Sequence, residues 1–378
     1  LPRSSLTRNS KCSSTTQEIT RWWSLSEVAR AGCANPIIDE LDAIEALDLR
    51  LKEAVRLQSS ADVPVGAFLS GGVDSSIAAW LLKQQGYEVV GLFMKNWEGD
   101  DKNCNSEEDY KDALSVCDHL DLPLRSVNFS NEYWDNVFKH FIDEYARGRT
   151  PNPDVLCNRE VKFKAFLDYA KDLGANKIAT GHYARIINND DHYLLKAGVD
   201  GSKDQSYFLH LLNQDQLSQS LFPLGDLHKK QVREIALQNG FKNAEKKDST
   251  GICFIGERPF ADFLTTFLPK QKGDIIDENG HFIKHHHGLP FYTIGQRKGL
   301  EIGGGYSDSP EPWFVADKLV ESNEIIAVQG DHPLLYHNTL VADSVHWIDQ
   351  SPSLPHKCSA KIRYRQASQE CQIMEIDG

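Results

Sequence analysis

A short apolar strand that ends in a turn of glycine and serine constrains the fold of this chain more than any other feature. The apolar run 63–69, VPVGAFL, is followed by the turn 70–76, SGGVDSS, and then by a helical pattern with Ile77, Trp80 and Leu81. Glycines in such a turn adopt positive φ and let backbone N–H groups face a bound anion. Serine hydroxyls add donors, and the helix N-terminus adds a favourable dipole for phosphate. The pattern therefore predicts a phosphate-binding strand–turn–helix unit, whose alternative is an ordinary Gly-Ser turn.

The turn resembles one class of phosphate-binding loop. It lacks the GxxxxGK[ST] pattern of the Walker-type loop, and with it that loop's lysine. It instead resembles the PP-loop, SGGxDS, of enzymes that cleave ATP to AMP and pyrophosphate. This resemblance implies that Asp74 holds Mg²⁺ through the bound ATP. The implied ATP contacts are Ser70, Gly71, Gly72, Val73, Asp74 and Ser75.

Strands and helices alternate after this turn, and the alternation predicts an α/β fold with a doubly wound parallel sheet. The predicted elements are strands over 88–94, 124–129 and 177–180, a helix from Ser106, and a helix over 131–146. Strands joined through helices pair in parallel, and such sheets bind ligands beyond the carboxyl ends of their strands. The turn 70–76 and the pair Gly181-His182, which follows the last of these strands, are therefore expected at one edge.

The length of 378 residues allows several hydrophobic cores, and the sequence pattern changes along the chain. Beyond about residue 273 it consists of short strands with Gly and Pro turns, which is typical of a small β-barrel. The predicted regions are a partly disordered leader (1–60) with one helix at about 38–58, a nucleotide-binding catalytic domain (61–214), a mainly helical central domain (215–272) and a β-barrel-like domain (273–378).

Composition limits the partners and the compartment. The net charge of −13 argues against coating nucleic acid by bulk electrostatics, but it leaves room for a local basic face. No apolar run is long enough to span a bilayer and no secretory signal is present, so no membrane partner and a cytoplasmic location are expected. The acid-free, Ser/Thr-rich segment 1–17 is weakly similar to an organelle transit peptide, which makes a mitochondrial location the alternative.

Eight cysteines are scattered along the chain without a CxxC pair, so neither a zinc ribbon nor a typical iron–sulfur site is expected. This usage suits a reducing compartment. Considered alone, Cys157 and Cys253 are interpreted as buried thiols. The tract 285–287, HHH, is interpreted as a polar loop, because adjacent histidines on a strand cannot all point at one ion.

Several longer segments together resemble the bacterial-type tRNA-uridine 2-sulfurtransferases, also called 2-thiouridylases. The match runs from about Ser70 to the C-terminus, and its blocks stand in the family's order. The blocks are GLFMKNWE (91–98), EYWDNVF (132–138), GRTPNPDVLCNREVKFKAF (148–166), IATGHYAR (178–185), KDQSYFL (203–209), KKDSTGICFIGERPF (246–260), TIGQRKGL (293–300), EPWFVADK (311–318) and RYRQ (363–366).

The resemblance implies ATP-dependent 2-thiolation of the wobble uridine of tRNA. A uracil carbonyl oxygen is a poor leaving group, and transfer of AMP to it, with release of pyrophosphate, allows it to depart. The family places a persulfide at Cys253, with sulfur supplied by a donor protein, and Cys157 then closes a transient disulfide with Cys253. Asp154, three residues before Cys157, is the expected general acid/base.

The resemblance also assigns the binding residues. Met94 and Gly181 are expected to border the nucleotide. The target base must leave its stack before its carbonyl can be reached. The expected tRNA contacts are Asn152, Pro153, Asp154, His182, Lys203, Asp204, Gln205, Arg363 and Tyr364. The cationic groups expected to favour thiolate at the two cysteines are Arg159, Lys246 and Lys247.

The two ends of the chain depart from this family. Residues 21–69 resemble the entry to the synthetase domain of glutamine-dependent asparagine synthetase. The C-terminus stops in what the family's pattern makes mid-barrel, so an incomplete barrel is expected. Two alternatives to active tRNA thiolation follow from these departures. One is an inactive tRNA-binding remnant of fusion and truncation, and the other is an asparagine-synthetase-like amide ligase.

Overall fold

The computed structural model describes residues 64–97, 106–190, 192–248, 260–303, 306 and 309–375. The predicted leader 1–60, its helix at about 38–58, and the expected persulfide position Cys253 lie outside the described residues. The parallel and antiparallel pairings given below therefore refer to this part of the chain.

The regular elements follow one another as strands and helices in the first part of the chain and mostly as strands in the second. In chain order they are β1 (Val65–Phe68), α1 (Val73–Gln84), β2 (Val89–Lys95), α2 (Ser106–Leu120), β3 (Leu124–Asn128), α3 (Ser130–Tyr133), α4 (Lys139–Ala146), α5 (Pro153–Leu156), α6 (Phe166–Asp172), β4 (Lys177–Ala179), β5 (Ala184–Asn189), β6 (His192–Ala197), α7 (Gln214–Ser218), β7 (Ser220–Leu221), α8 (Lys229–Gln238), α9 (Phe260–Thr265), β8 (Gly273–Ile276), β9 (Phe282–His286), β10 (Trp313–Leu319), β11 (Glu324–Gln329), β12 (His356–Ala360) and β13 (Gln369–Ile373). Two π-helical turns, Trp134–Phe138 and Cys157–Ala165, join α3 to α4 and α5 to α6, and short 3₁₀ turns lie at Ser206–Leu209, Leu289–Phe291 and Pro333–Leu335.

Five strands form a parallel sheet in the order β3-β2-β1-β4-β7. The chain runs outward from β1 through β2 to β3, and then returns to place β4 on the other side of β1. The order therefore reverses between β1 and β4, and this switch point is where sheets of this kind leave a crevice for ligands. The predicted strands at 88–94, 124–129 and 177–180 agree with β2, β3 and β4 to within a residue or two.

Helices cover both faces of this sheet, as the doubly wound prediction requires. Side chains of β2 point alternately to the two faces of the sheet. Val89 and Phe93 belong to one buried cluster, and Leu92 and Met94 belong to the other. The first cluster is completed by the apolar faces of α1, α2 and α8, and the second by the two π-helical turns with α4, α6 and α9. The predicted α/β fold class is confirmed.

The sheet continues past residue 214, where the catalytic domain was predicted to end. Ser220 and Leu221 of β7 pair with Ile178 and Ala179 of β4. Helix α8 then adds Val232 to the same buried cluster as Ile77 of α1. The sheet and its helices thus draw on residues 215–248 as well, while the division of the chain into regions stays a prediction.

A separate β region follows α9. Its sheet has the order β10-β11-β8-β9, in which β11 and β8 are parallel and the other neighbours are antiparallel. Buried Ile275, Val315 and Ile325 form part of its core. The interpretation of residues 285–287 as a loop was wrong for its first two residues, because His285 and His286 end β9. His286 is buried, and its ring bonds the carbonyl of Asn323 and the N–H of Gly288.

Candidate active site

The glycine–serine turn after β1 is held in shape by its own hydroxyls. Ser75 Oγ accepts from the Ser70 N–H at 3.2 Å and donates to the Gly72 carbonyl at 3.0 Å. Gly71 has a φ of +74°, and a Cβ built on it would lie 2.6 Å from the carbonyl oxygen of Asp109 in α2. Only glycine fits both the left-handed conformation and this close approach.

A buried asparagine supports the turn from the other side. The Asn243 side-chain amide donates to the Gly71 carbonyl at 3.1 Å and to Ser76 Oγ at 2.9 Å. Because each of these two bonds joins residues more than 160 positions apart in the chain, the turn is fixed by tertiary structure as well as by its local sequence. Asn243 could not be predicted as a site residue, since an asparagine in an irregular segment is common.

The residues after β4 lie directly against the turn. A Cβ built on Gly181 would lie 2.8 Å from the Ser75 nitrogen and 2.9 Å from the Asp74 carbonyl carbon. Met94, near the carboxyl end of β2, is buried in the cluster on one face of the sheet. The predicted ATP residues therefore lie at the carboxyl ends of three adjacent strands, β2, β1 and β4.

Asp74, in the first turn of α1, accepts bonds from two distant residues. The Tyr183 hydroxyl donates to its Oδ1 at 2.8 Å, and Lys229 Nζ lies 2.7 and 2.8 Å from its two carboxylate oxygens. Burial, together with the Asp74 charge, raises the pKa of Tyr183 far above its ordinary value, so this hydroxyl remains a donor. Neither partner was predicted from the sequence.

These groups fit a nucleotide polyphosphate with a divalent cation. The Ser70 and Ser75 hydroxyls and the N-terminus of α1 provide donors for an anion. Asp74 provides the oxygen ligands that Mg²⁺ prefers. Because Gly181 has no Cβ, its backbone can lie close to the turn.

A second group of predicted residues starts a helix beside this edge. Asn152 caps α5 by accepting from the Asp154 N–H at 3.2 Å, and Pro153 occupies the first turn, where its missing N–H costs nothing. Cys157 follows at the start of the π-helical turn and is 2 % exposed. Asp154 is largely enclosed too, and burial raises its pKa, which the charge of Lys162 lowers only in part.

Lys162 is a cation that was not among the predicted site residues. Its Nζ lies 5.8 Å from the centre of the Phe68 ring at the end of β1, and its charge lowers the pKa values of both Asp154 and His182. It follows Cys157 by five residues, which is the hydrogen-bonded spacing of a π-helix. A π-helical turn has no distinct sequence pattern, so this segment could not be predicted.

Two of the cations that were expected beside the cysteines are engaged by carboxylates instead. Arg159 Nε bonds Glu160 at 2.7 Å, and Lys246 Nζ bonds Asp109 at 2.8 Å and also Asp112. Their charges are therefore compensated locally. The expected influence of Lys246 on Cys253 concerns a position outside the described residues.

His182 is a neutral imidazole within an aromatic group. Its Nδ1 lies 2.7 Å from Thr180 Oγ1, and its ring centre is 5.9 Å from those of both Phe163 and Phe222. Desolvation, with a smaller contribution from the charge of Lys162, holds the pKa of His182 well below its ordinary value. His182 thus presents an uncharged aromatic surface next to Gly181.

The expected tRNA contacts at 203–205 are bonded within the chain. Lys203 Nζ lies 2.6 Å from Asp248 Oδ2, and Gln205 Oε1 accepts from the Tyr183 N–H at 3.0 Å. Asp204 accepts from the backbone N–H groups of Gly198 and Ser206. These bonds fix the turn that precedes the 3₁₀ segment Ser206–Leu209.

The turn between β12 and β13 rests on that 3₁₀ segment. The Tyr364 ring centre lies 4.6 Å from that of Phe208, and the Tyr207 hydroxyl donates to the Ile362 carbonyl at 2.9 Å. The Arg363 guanidinium donates to the Ile294 carbonyl. The structure therefore brings two of the predicted tRNA-contact segments, 203–205 and 363–364, onto adjoining elements.

Fold and site together define a class of protein: a nucleotide-binding α/β enzyme of the PP-loop type joined to a β domain. Two family models match the chain, the tRNA methyl transferase HUP domain over residues 63–257 and the tRNA methyl transferase PRC-barrel domain over residues 261–329. None of the helices in the described part of the chain is long and apolar enough to cross a membrane.

Relatives with high sequence identity carry a more specific name. A tRNA-specific 2-thiouridylase MnmA from Ruthia magnifica is 64% identical over 312 residues, which cover 82% of this chain and 86% of that protein. MnmA proteins from Hydrogenovibrio crunogenus and Coxiella burnetii are 59% and 56% identical and cover 84% and 82% of this chain, and 85% and 87% of their own lengths. The chain belongs to the tRNA-specific 2-thiouridylase family.

Proposed function

We propose that this chain transfers sulfur to C2 of the wobble uridine of tRNA at the expense of ATP. One observation carries the proposal: Lys162 lies over Phe68, beside the turn 70–76, and its charge acts on both Asp154 and His182. This contact supports a single site made of the nucleotide turn and the helix that carries Cys157. A reaction that activates a base with ATP and then delivers sulfur to it needs this combination.

In the first step, the uracil 2-oxygen attacks the α-phosphorus of ATP, and pyrophosphate leaves. Residues 70–75 would bind the phosphates, with Asp74 holding Mg²⁺, which supplies charge neutralisation when it is bound. Asp154, whose pKa burial raises, is placed to hold or release a proton near the target base. Asn152 and Pro153 fix the start of its helix, and the neutral His182 ring offers a flat surface to an unstacked base.

In the second step, the terminal sulfur of a Cys253 persulfide is transferred to C2, and AMP leaves with the former 2-oxygen. The Cys157 thiolate attacks the inner sulfur of Cys253, so the S–S bond of the persulfide is replaced by a Cys157–Cys253 disulfide. An external thiol then reduces the disulfide, and a donor protein supplies the next persulfide sulfur. Arg363 and Tyr364, beside Lys203–Gln205, are suited to a phosphate and a base of the tRNA.

The names of the family models point to a different transferred group, because they refer to methyl transfer. Two features favour sulfur. Methyl transfer requires neither a PP-loop nor an enclosed thiol such as Cys157 three residues after a carboxyl group such as Asp154, whose pKa burial raises. The names of the relatives agree with sulfur transfer.

The test is pyrophosphate release from ATP by the purified chain, supplied with a low-molecular-weight persulfide as sulfur source, with unmodified tRNA in one reaction and aspartate plus ammonia in another. We expect release only with tRNA, and a tRNA product whose mass change corresponds to the exchange of oxygen for sulfur. Release only with aspartate would identify an amide ligase, and no release with either substrate would identify an inactive remnant. A product carrying an added methyl group would also overturn the proposal.

A further inference from the structure

Lys229 is a buried lysine whose side chain points at the nucleotide turn. It is the first residue of α8, its side chain is only 11 % exposed, and its backbone N–H is fixed by Asp200 Oδ2 at 2.9 Å. Its ammonium group lies 2.7 and 2.8 Å from the two oxygens of Asp74, and 2.7 Å from Asp248 Oδ1. The ammonium group thus faces two carboxylates, those of Asp74 and Asp248.

The turn itself contains no cation. Residues 70–76 are SGGVDSS, and their one charged side chain, Asp74, is negative. A polyphosphate that approaches this carboxylate meets electrostatic repulsion unless a positive charge lies beside it. Lys229 supplies such a charge from another part of the chain, 155 residues away.

We propose that Lys229 is a phosphate ligand of the nucleotide site, which exchanges a carboxylate partner for a phosphate oxygen when ATP binds. This role rests on the proposed function, since it needs a polyphosphate at the turn. In the Walker-type loop, a lysine within the loop binds the phosphates. Here the proposal gives that role to a lysine on α8.

The carboxylates that Lys229 would release have other partners. Asp248 also bonds Lys203 at 2.6 Å and Arg233 at 3.0 Å. Burial alone would raise the pKa of Asp248, yet hydrogen bonds from Lys203 and Lys229 lower it to about 2, and the bond from Lys203 remains when Lys229 moves. Asp74 keeps the hydroxyl of Tyr183 and is the expected Mg²⁺ ligand. The exchange therefore leaves neither carboxylate without compensation.

The alternative is that Lys229 only neutralises two half-buried carboxylates and never meets the nucleotide. The two roles differ in ligand binding. If Lys229 contacts the two phosphates that leave as pyrophosphate, it strengthens the binding of pyrophosphate and ATP. It then contributes less to the binding of AMP, which lacks these phosphates. A structural cation affects thermal stability and leaves the binding of all three unchanged in the folded protein.

The experiment is calorimetric titration of the full chain with Mg-pyrophosphate, MgATP and AMP. We expect Lys229→Met to weaken pyrophosphate and ATP binding by roughly 10- to 100-fold, the worth of a charge-assisted hydrogen bond, and AMP binding by much less. The control is Lys230→Met, because the neighbouring Lys230 side chain is 87 % exposed and pairs with Glu234 in the next turn. We expect this control to bind as the unchanged chain does.

Lys229→Met leaves a carboxylate in excess, so the variant that also carries Asp248→Asn restores the charge balance and keeps a folded protein for the titration. Either variant, folded and binding pyrophosphate as tightly as the unchanged chain, would overturn the proposal. That result is distinct from failure of the proposed function, in which the unchanged chain binds MgATP but releases no pyrophosphate with tRNA.

Discussion

Lys162 Nζ lies 5.8 Å from the centre of the Phe68 ring, and this contact joins the end of β1 to the helical segment that carries Cys157. The same ammonium charge lowers the pKa values of Asp154 and His182. One lysine therefore acts on the ionisation of two groups, Asp154 and His182, and contacts the ring of Phe68 on a third element. Its removal should have consequences that depend on pH.

We expect Lys162→Met to slow tRNA thiolation and to shift the ionisation of Asp154 to higher pH. The reason is that burial already raises the pKa of Asp154 and Lys162 opposes that rise, so removing the lysine leaves burial unopposed. The measurement is the pH dependence of single-turnover thiolation. Lys164→Met is the control, since Lys164 is exposed and bonds Glu160. An equal shift in both variants, or none in Lys162→Met, would contradict this role.

Gly181→Ala should impair ATP binding. The added methyl group would lie 2.8 Å from the Ser75 nitrogen, and these backbone atoms cannot move without distorting the turn. We expect a loss of roughly tenfold or more in ATP affinity and a loss of about 1–3 kcal/mol in stability from overpacking. Calorimetric titration and thermal unfolding measure the two effects. Gly201→Ala is the matched control, because a Cβ at Gly201 meets nothing within 4 Å, and equal effects in both variants would refute the steric explanation.

The parts of this fold that could be predicted are those with a local signal. Strands β1, β2 and β4 are short apolar runs, and the turn 70–76 is recognisable from its glycines and serines. Strand β7 has only two residues, too few for a periodic pattern, although it extends the central sheet. The π-helical turn Cys157–Ala165 has the residue composition of an ordinary helix, so the sequence could not distinguish it from one.

The polar and charged partners of the site could not be predicted either, because they are distant in sequence. Asp74 meets Lys229 across 155 residues, and Asn243 meets the turn across more than 160. Such contacts depend on how helices pack against the sheet, which no local pattern encodes. Conversely, Lys246 stood close in sequence to Cys253 and was expected to influence it, yet its charge is compensated by Asp109 and Asp112.

Lys318 should make stability depend on pH. It lies in β10, where burial lowers its pKa from 10.5 to about 8, and its Nζ donates to the Gly148 carbonyl at 2.7 Å. Between about pH 8 and 10.5 the unfolded chain binds more protons at this lysine than the folded chain, so its contribution to the free energy of unfolding rises with pH.

The measurement is urea unfolding of the unchanged chain and of Lys318→Met at pH 7.5 and at pH 10. We expect the stability of the unchanged chain relative to the variant to increase at the higher pH, because the neutral amine keeps its hydrogen bond without the cost of a buried charge. Comparison with the variant cancels the titration of other groups. A difference that does not change with pH would show that Lys318 is not desolvated in solution.

Substitution in the turn between β12 and β13 should weaken tRNA binding and leave ATP binding unchanged. Tyr364→Ala removes the ring that packs on Phe208 beside residues 203–205, so we expect weaker tRNA binding with unchanged ATP affinity. A loss of roughly tenfold is expected for one stacked aromatic side chain. Tyr336→Ala, at an exposed tyrosine, is the control in filter binding with unmodified tRNA. Unchanged tRNA affinity in Tyr364→Ala would remove this turn from the binding surface.

Cys157 and Cys117 are both buried thiols, and they should respond to substitution in opposite ways. Burial, with a further contribution from Asp118, raises the pKa of Cys117 to about 11, so this thiol is protonated and unreactive at neutral pH. We expect Cys117→Ala to retain thiolation. Cys157→Ala should lose thiolation while still releasing pyrophosphate with tRNA, because activation of the base precedes sulfur transfer. Product mass and pyrophosphate assays on the same samples separate the two steps, and thiolated tRNA from Cys157→Ala would exclude this cysteine from the transfer.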